Sequence, residues 1–438
     1  MRQLLLHILA IAFLVFNFAC VNDTSDQSTK GIRLSAEDIG VTQVWLRVGF
    51  TESIGPRSLV LTRNGKTILD VLNLLSDTLV VDDSLQPNHP YLYRATGSFT
   101  LFGIPETSSI SLTTLDTTSH NFTWQVDTLG DGANSLLKDV AIVNDSCVFA
   151  VGEIHIKDSL GNWDPALYNV ARWNGSKWSY SVGASVTINA VFAFSDSDVW
   201  AGTTAPYHFD GATWRGYNVT GLFNGYVTKI WGTSGSNIYM VGTNGAIMHF
   251  NGSVWQKMES GTDVDLLDVW GSPDGSVVWA CGFYSSKRGT YLLRYTHESS
   301  KWELAYDGSL SETVILNDSL SGAYSSLYAP TTHRLFIVSD AGLYETAAET
   351  RGAAQRIPFP FTWSGFPWRL RGTAANDLFV AGEYFMLGHF NGVTFNHYSD
   401  LSGYGRLMSV DQHDKLVVAV GYMFDPINSK GLVFRGTR

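Results

Sequence analysis

The sequence predicts an all-β fold of short antiparallel strands. Glycine occurs 42 times and aromatic residues make up 13% of the 438 residues, whereas only 16% are charged. This composition is typical of turn-rich, well-buried β structure. A representative stretch has apolar runs at 266–271, 277–282, 291–295 and 301–304, separated by turn residues. Sets of four such runs recur from about residue 135 to the C terminus, and a recurring four-stranded unit predicts a β-propeller.

The repeats predict seven blades. The central residues of the second run lie 39 to 57 positions apart, close to the period of four-stranded propeller blades. They are Phe149, Trp200, Tyr239, Trp279, Phe336, Phe379 and Val418. The last repeat ends after its third run, and an upstream run at 121–126 is the candidate for its missing strand. We therefore predict a propeller over 118–438 whose last blade is closed by this N-terminal strand, because an open ring would expose two sheet edges.

Tight turns are expected before the fourth strand of four repeats. Each has an Asn-Gly or Asp-Gly pair, and both positions of such a pair tolerate positive φ. The pairs therefore predict two-residue type I′ hairpins. They begin at Asn174, Asp210, Asn251 and Asn391.

Runs such as Val269-Trp270-Gly271-Ser272 and His249-Phe250-Asn251-Gly252 carry a resemblance to known proteins. The repeat resembles that of bacterial secreted propellers and, more distantly, that of kelch and galactose-oxidase-like propellers. The resemblance covers about three quarters of the chain. It implies a fold and leaves the function open, because propellers host many functions.

Residues 31–115 predict a separate β-sandwich. Strands with alternating character are predicted at 44–48, 58–63, 78–82, 91–95 and 109–114, and Asn64-Gly65 is a hairpin signal. The segment resembles a fibronectin type III module through Trp45, the approach Leu85-Gln86-Pro87, and Tyr91 with Tyr93. This resemblance implies a spacer or an adhesive arm.

Residues 1–20 predict a lipoprotein signal peptide. Arg2 precedes an apolar run at 4–15 that is too short to span a membrane. The small residue before Cys20 resembles the lipobox of bacterial lipoproteins, although Asn17 and Phe18 depart from the usual pattern. An ordinary secretory leader with an incidental cysteine is the alternative.

The lipobox resemblance implies where the protein is located in the cell. Acyl chains on Cys20 would anchor it to the membrane, because each buried methylene group stabilises the anchored state. The polar residues 21–30 would then form a flexible tether. We therefore expect a lipid-anchored protein of the cell envelope, at the outer membrane or the cell surface.

Several functions are disfavoured. A net charge of −11 and the lack of a basic patch argue against nucleic-acid binding. We find no Ser-His-Asp signature, phosphate loop or zinc spacing, so no cofactor and no metal are predicted. His208, His249 and His389 occupy equivalent repeat positions, which repetition explains better than a metal site. Cys147 and Cys281 fall in different blades and are predicted to be buried and unbridged.

Long loops indicate a working face. In a propeller, the loops between strands 2 and 3 share a face with those that lead to the next blade. The long connections in this chain lie on that face, which favours it for binding. They are 153–169, 283–289, 307–320, 351–367 and 422–430. The predicted ligand-binding residues are Trp163, Tyr168, Phe283, Tyr284, Arg288, Trp363, Phe366, Trp368, Tyr384 and Tyr422.

Such aromatic loops suit sugar rings or peptide segments, although rings can also pack loop against loop. The leading prediction is a non-enzymatic binding protein that recognises a glycan or an envelope protein. The alternative is a carbohydrate-active enzyme, a glycoside hydrolase or lyase, that uses the carboxylates Glu153 and Glu383. These two belong to a predicted channel rim after the second-strand glycine, which comprises Glu153, Thr203, Thr243, Phe283, Asp340, Glu383 and Tyr422.

Overall fold

The computed structural model describes residues 31–50, 57–74, 76–99, 105–132, 134–283, 290–307, 320–347, 355–358, 363–425 and 428–438. The predicted leader, its Cys20 and the tether lie outside these residues. The chain divides into two compact units between Leu115 and Asp116. Within the described ranges no helix is long and apolar enough to span a membrane. A 3₁₀ turn at Ser399–Leu401 is the one helical element there.

The first unit is built from two antiparallel sheets. Its described strands are β1 (Ile32–Ile39), β2 (Val44–Phe50), β3 (Arg57–Arg63), β4 (Lys66–Leu74), β5 (Thr78–Asp82), β6 (Pro90–Phe99) and β7 (Pro105–Thr113). One sheet has the order β1-β2-β5 and the other β4-β3-β6-β7. A single apolar core takes residues from both sheets, with the strands alternating between buried and exposed positions.

A polar group links the two sheets of the first unit. The buried hydroxyl of Tyr93 on β6 donates to Asp82 Oδ2 on β5 at 2.6 Å, and Arg63 Nη1 on β3 lies 2.8 Å from Asp82 Oδ1. Burial and the Asp82 carboxylate raise the pKa of Tyr93 far above its ordinary range. The hydroxyl of Tyr91, near the start of β6, accepts a hydrogen bond from the N–H of Gln86, which precedes this strand, at 2.9 Å.

The second unit contains the remaining described strands. They are β8 (Thr123–Leu129), β9 (Leu136–Asn144), β10 (Cys147–Ile154), β11 (Tyr168–Trp173), β12 (Trp178–Ser181), β13 (Ala190–Ser195), β14 (Asp198–Gly202), β15 (Pro206–Phe209), β16 (Trp214–Gly216), β17 (Val227–Ser234), β18 (Asn237–Gly242), β19 (Ile247–Phe250), β20 (Trp255–Met258), β21 (Leu266–Gly271), β22 (Val277–Phe283), β23 (Thr290–Thr296), β24 (Lys301–Asp307), β25 (Tyr324–Tyr328), β26 (Arg334–Ser339), β27 (Gly342–Ala347), β28 (Gln355–Arg356), β29 (Pro367–Ala374), β30 (Asp377–Gly382), β31 (Leu387–Phe390), β32 (Phe395–His397), β33 (Gly405–His413), β34 (Leu416–Met423) and β35 (Gly431–Thr437).

These strands form seven four-stranded sheets among the described residues. Six sheets follow the chain from β9–β12 through β29–β32, and the seventh has the order β33-β34-β35-β8. We call the first strand of each sheet its inner strand: β9, β13, β17, β21, β25, β29 and β33. Each inner strand contacts the next in chain order, and β33 contacts β9. The seven sheets therefore surround a common axis in a closed cycle.

The strand nearest the N terminus of the second unit completes the last sheet. β8 pairs antiparallel with β35, with Thr123 opposite Thr437 and Leu129 opposite Gly431. This is the pairing that the sequence predicts. Because β35 is covered by β8, the ring closes through contacts between the two ends of the unit.

Two histidine side chains contact each other beside the pairing of β8 with β35. His120 Nδ1, just before β8, lies 2.8 Å from His389 Nδ1 on β31. His120 Nε2 lies 2.9 Å from the Thr394 hydroxyl, and the guanidinium of Arg438 contacts Asp377 at 3.0 Å. Burial lowers the pKa of His120 to about 4, and the neighbouring His389 and Arg438 add to this effect.

Six of the seven inner strands contain a β-bulge near their start. In β21 the register skips Leu267, which has no partner residue on β22. The same irregularity occurs in β9, β17, β25, β29 and β33. A Cβ on Gly282, opposite the β21 bulge, would lie 2.0 Å from the carbonyl oxygen of Asp265. The bulged backbone therefore explains the glycine at the end of the second strand in most repeats.

The Asn-Gly and Asp-Gly turns of the second unit differ from the prediction. Trp173 pairs with Trp178, so the loop between them has four residues, and only its Gly175 has a positive φ. Asn174 Oδ1 accepts hydrogen bonds from the N–H of Ser176 at 3.1 Å and from that of Lys177 at 3.0 Å, and the first of these closes an Asx turn that replaces the type I′ turn. The same side-chain acceptors occur at Asp210, Asn251 and Asn391.

The hairpin signal in the first unit behaves as predicted. Arg63 pairs with Lys66, which leaves a two-residue loop. Asn64 and Gly65 have φ values of 51° and 81°. Positive φ at both positions is what a type I′ turn requires.

Candidate functional site

The inner strands surround a cavity of about 390 Å³ at the end where they begin. Its lining residues are Lys138, Asn189, Tyr226, Val227, Thr228, Leu267, Ser325, Trp368, Arg369 and Met408. Every inner strand, or the residue directly before it, contributes at least one of them. We call this space the central cavity. Its volume lies in the lower part of the range of ligand pockets.

The β-bulges place most of the lining. The residue that the register skips is a cavity residue in each of the six bulged strands: Lys138, Thr228, Leu267, Ser325, Trp368 and Met408. A bulge turns a side chain out of the regular alternation, and bulges are enriched next to functional sites. In the seventh inner strand, β13, the register is regular from Ala190 to Ala193 and shifts only near the end of the strand. The preceding Asn189 lines the cavity.

Buried ion pairs lie directly beneath the cavity. Asp268 accepts a hydrogen bond from Arg371 Nη2 at 2.7 Å, and Arg369 Nη1 lies 2.8 Å from the same carboxylate. The Ser326 hydroxyl and the Leu327 N–H also donate to Asp268. Burial would raise the pKa of Asp268, but the two guanidinium groups hold it well below its usual range.

A second buried pair completes this layer. Lys229 Nζ lies 2.7 Å from both carboxylate oxygens of Asp139. The Ser409 hydroxyl donates to Asp139 at 2.6 Å, and the Val191 N–H donates at 2.9 Å. Burial lowers the pKa of Lys229 to about 8, against the opposing effect of Asp139. We call this layer the ionic floor, and it consists of Asp139, Lys229, Asp268 and Arg371.

The cavity lining carries one cation without a counter-ion. Lys138 makes no ion pair within the described part of the chain, whereas Arg369 is paired with Asp268. The described lining contains no Asp or Glu. Burial lowers the pKa of Lys138, Arg406 lowers it further, and Glu153 acts in the opposite direction. Lys138 is therefore the one basic side chain of the described lining that has no acidic partner.

Three of the predicted ligand-binding residues come together at the cavity. Trp368 lines it, and the Phe366 ring lies 4.7 Å from the Trp368 ring. Phe283 packs behind Phe366 at 5.6 Å, and the Arg406 guanidinium lies 4.8 Å from the Trp368 ring centre. The aromatic stack therefore supports one wall of the cavity.

Two predicted residues lie on the loop between β10 and β11. Trp163 is 46% exposed, and the Lys157 ammonium lies 4.7 Å from its ring centre. Tyr168 donates to Asp164 Oδ2 at 2.9 Å. Neither residue lines the central cavity, so their part in ligand binding stays a prediction. The predicted residues Tyr284 and Arg288 lie outside the described ranges.

Three further predicted residues are also separate from the cavity lining. Trp363 Nε1 donates to the carbonyl oxygen of Ser339 at 2.9 Å. Tyr384 is 45% exposed and has a φ of 56°. Tyr422 packs its ring 5.9 Å from that of Phe424. Their role in binding likewise stays a prediction.

The carboxylates of the enzymatic alternative are engaged. Glu383 Oε1 accepts a hydrogen bond from Arg406 Nη2 at 2.6 Å. Glu153 Oε1 lies 2.8 Å from His155 Nε2, and its Oε2 accepts from the Thr187 hydroxyl at 3.1 Å. Neither carboxylate lines the central cavity. In the described ranges no group of three or more His, Cys, Asp or Glu residues could hold a metal ion.

None of the seven predicted rim residues is among the residues that line the central cavity. Thr243 Oγ1 accepts a hydrogen bond from the N–H of Tyr226 at 3.0 Å, and Asp340 Oδ1 accepts one from Ala323 at 2.8 Å. These side chains hold the connections that lead into the inner strands. The lining of the central cavity comes instead from the first residues of the inner strands, which the bulges bring to it.

The repeated histidines have a structural role, as their spacing predicts. Each ring stacks on the aromatic residue opposite it on the second strand, with ring centres 4.4 to 4.5 Å apart. The pairs are His208 with Trp200, His249 with Tyr239, and His389 with Phe379. The described cysteines Cys147 and Cys281 are buried and free.

Sequence analysis missed every bulged cavity residue except Trp368. A signal was present, because each precedes a polar residue followed by an aliphatic one. Examples are Lys138 before Asp139-Val140 and Leu267 before Asp268-Val269. The glycine that ends the second strand marks the opposite side of the same bulge.

A larger open groove of about 1120 Å³ lies on loops around β17–β20. It is lined by 217–224, 244–246 and 257–263, with Thr204 and Ala205. Three charged residues line it: Lys257 and Glu259, which pair with each other at 2.8 Å on the surface, and Asp263. We take the central cavity as the candidate site, because residues at the start of all seven inner strands, or directly before them, converge there.

Comparisons with known proteins identify the fold of the second unit. No protein-family model matches the chain, and no curated protein matches it. A solved structure described as "YCF48 bound to D1 peptide" is similar with a TM-score of 0.52 and 15% identity, over 74% of this chain and 99% of that one. "YCF48 from Cyanidioschyzon merolae" has a TM-score of 0.49 and 14% identity, over 71% and 98%. The fold is that of a β-propeller.

Proposed function

We propose that this chain is a non-enzymatic binding protein whose propeller recognises a protein partner through the central cavity. The observation that carries the proposal is the cavity itself, which takes residues from six of the seven inner strands, through their β-bulges, and from Asn189 directly before the seventh. The closed cycle of seven inner strands supports a count of seven blades. A protein of the same fold was solved with a peptide bound, which supports a peptide as the ligand here.

The engaged carboxylates favour binding over hydrolysis. A glycosidase needs one carboxyl group free to donate a proton and another free to attack or to activate water. Here Glu383 is paired with Arg406, and Glu153 contacts His155 and Thr187. These contacts would have to break before either group could act on a sugar.

We further propose that the first unit is a fibronectin type III-like spacer. Its strand orders and the hydroxyl of Tyr91 that accepts from Gln86 match an immunoglobulin-like sandwich with a tyrosine corner. An experimental structure with another strand order would refute this assignment.

The spacer would stand on a tether that is lipid-anchored at Cys20. Radiolabelled palmitate should enter the wild type and be absent from Cys20→Ala.

The binding proposal is tested by selecting a random peptide library on the purified protein. We expect the wild type to enrich a peptide family. Its affinity should fall at least about tenfold in Trp368→Ala, because a buried aromatic anchor typically contributes about 2 kcal/mol or more. Titration calorimetry measures the affinity, and circular dichroism with the unfolding midpoint checks the fold of the variant.

Trp163→Ala is the matched control, because this exposed tryptophan lies outside the cavity. Its affinity for the selected peptide should equal that of the wild type. Equal affinity of Trp368→Ala and wild type would contradict the cavity as the site. Binding of polysaccharides without any peptide enrichment would favour a glycan ligand instead.

A further inference from the structure

The central cavity is closed on one side. Asp139 follows the cavity residue Lys138 in the chain, and Asp268 follows Leu267, so the ionic floor begins one residue below the lining. The floor groups are buried and fully paired with one another. Opening the floor would separate buried charges at a high cost in free energy. A ligand can therefore enter the mouth of the cavity but cannot pass through the channel.

A closed cavity of this size suits the end of a chain. A peptide that continued in both directions would need two exits from about 390 Å³ of space. A chain terminus needs one. The terminal residues could lie against the apolar wall formed by Val227, Leu267, Trp368 and Met408.

The charge of the cavity decides whether it receives the N terminus or the C terminus of a partner chain. Lys138 is a lining cation without an ion pair, and no described lining residue is Asp or Glu. An ammonium terminus would meet a like charge there. A carboxylate would supply the counter-ion that Lys138 lacks, with a charge-assisted hydrogen bond as the contact. The Asn189 side chain adds an amide to the lining.

We propose that the central cavity binds the C-terminal end of a partner chain, with the Lys138 ammonium paired to its terminal α-carboxylate. This proposal rests on the proposed function, since it names the part of the partner that the cavity receives. An acidic side chain presents the same chemistry from a different source. The closed floor favours the terminus, because a side chain would bring two chain directions with it.

The test uses the selected peptide in three forms: with a free C-terminal acid, with a C-terminal amide, and with its acidic side chains replaced by amides. We expect amidation to weaken binding to the full-length wild type by about tenfold or more, the size of a charge-assisted contact. Replacing the acidic side chains should change the affinity little. Titration calorimetry measures all three.

Variants of Lys138 connect the effect to this residue. In Lys138→Met the acid and the amide should bind with equal affinity, while Lys138→Arg should retain the preference for the acid. Lys177→Met removes an exposed lysine between β11 and β12 and should behave as the wild type. The Lys138→Arg arm shows whether a loss in Lys138→Met reflects the missing charge or a damaged fold.

The outcomes separate the two proposals. Trp368-dependent binding that ignores amidation would overturn the C-terminal assignment and leave the proposed function standing. Loss of affinity on replacing acidic side chains, without an effect of amidation, would assign the carboxylate to a side chain. An amide penalty that persists in Lys138→Met would place the terminus elsewhere. Failure of every peptide to bind would overturn both proposals.

Discussion

The carboxylate of Asp268 holds two guanidinium groups at the axis of the propeller. It contacts Arg371 and Arg369 at 2.7 and 2.8 Å and is itself fully buried. Such a group adds little net stability compared with an apolar core, but removal of one partner leaves an uncompensated buried charge. The Asp268 carboxylate instead holds three inner strands in place beneath the cavity.

We therefore predict that Asp268→Asn destabilises the second unit by about 3–5 kcal/mol. The amide cannot neutralise the two guanidinium groups that remain buried. Urea unfolding followed by tryptophan fluorescence measures the change. Glu259→Gln, in the exposed pair with Lys257, should change the unfolding free energy by less than about 1 kcal/mol. Similar values for both variants would contradict the positional role of Asp268.

The bulged residues are a case in which side-chain pattern predicts little. Trp368 is recognisable because an aromatic residue in a loop region suggests a binding platform. Lys138, Leu267 and Met408 share no chemical property, since they face a cavity and not a common core. Register is a property of two strands together, so the polar and aliphatic pair that follows each of these residues indicates a skipped residue only when it is read with the glycine of the second strand.

The bulge in an inner strand and the glycine opposite it depend on each other. The Asp265 carbonyl oxygen occupies the space that a Cβ on Gly282 would need, with a separation of only 2.0 Å. In the fifth sheet the equivalent position is Ser339, opposite Tyr324. A side chain is therefore already accommodated there.

We predict that Gly282→Ala destabilises the protein by about 1–3 kcal/mol, the usual cost of overpacking. The Cβ must push the start of β21 away from β22. Ser339→Ala retains a Cβ and loses the two hydrogen bonds of the Ser339 hydroxyl, to the Ser321 carbonyl oxygen and from the Ala341 N–H, so it should cost about 1 kcal/mol for each bond. Denaturant titration compares the two. If Gly282→Ala is as stable as the wild type, the explanation of the repeat glycine fails.

The propeller fold was accessible from the sequence, whereas most of the cavity lining was not. Repeated apolar runs identify strands because a buried sheet needs them at every repeat, and the missing last strand follows from the need to close the ring. The hairpins were predicted as type I′ because Asn-Gly suits that turn. The two loop residues after each glycine lengthen the loop, and the local hydrogen bonds from their N–H groups to Asn174 and its equivalents favour an Asx turn.

Closure of the ring makes the whole molecule sensitive to acid. His120 is held against His389 and Thr394 where the two ends of the second unit meet. Its pKa in the folded state is about 4, below the ordinary value of 6.5. The unfolded chain therefore binds this proton at higher pH than the folded chain does. The stabilisation is fully present above about pH 6.5 and is lost as the pH falls towards about 4.

We predict that the wild type loses stability relative to His120→Asn on acidification from about pH 7 to about pH 4.5. The asparagine has no proton to gain, so the variant lacks this contribution to the pH dependence. Chemical unfolding of both proteins across this range measures the difference. A difference that is independent of pH would show that protonation of His120 does not oppose closure.

The most direct test of the binding site is an experimental structure of the full-length protein with the selected peptide. We expect the peptide to end in the central cavity, with its terminal residues against Trp368 and its carboxylate at Lys138, above an unchanged ionic floor. A peptide that lies in the groove near Lys257, or on the loop that carries Trp163, with the central cavity empty, would contradict it.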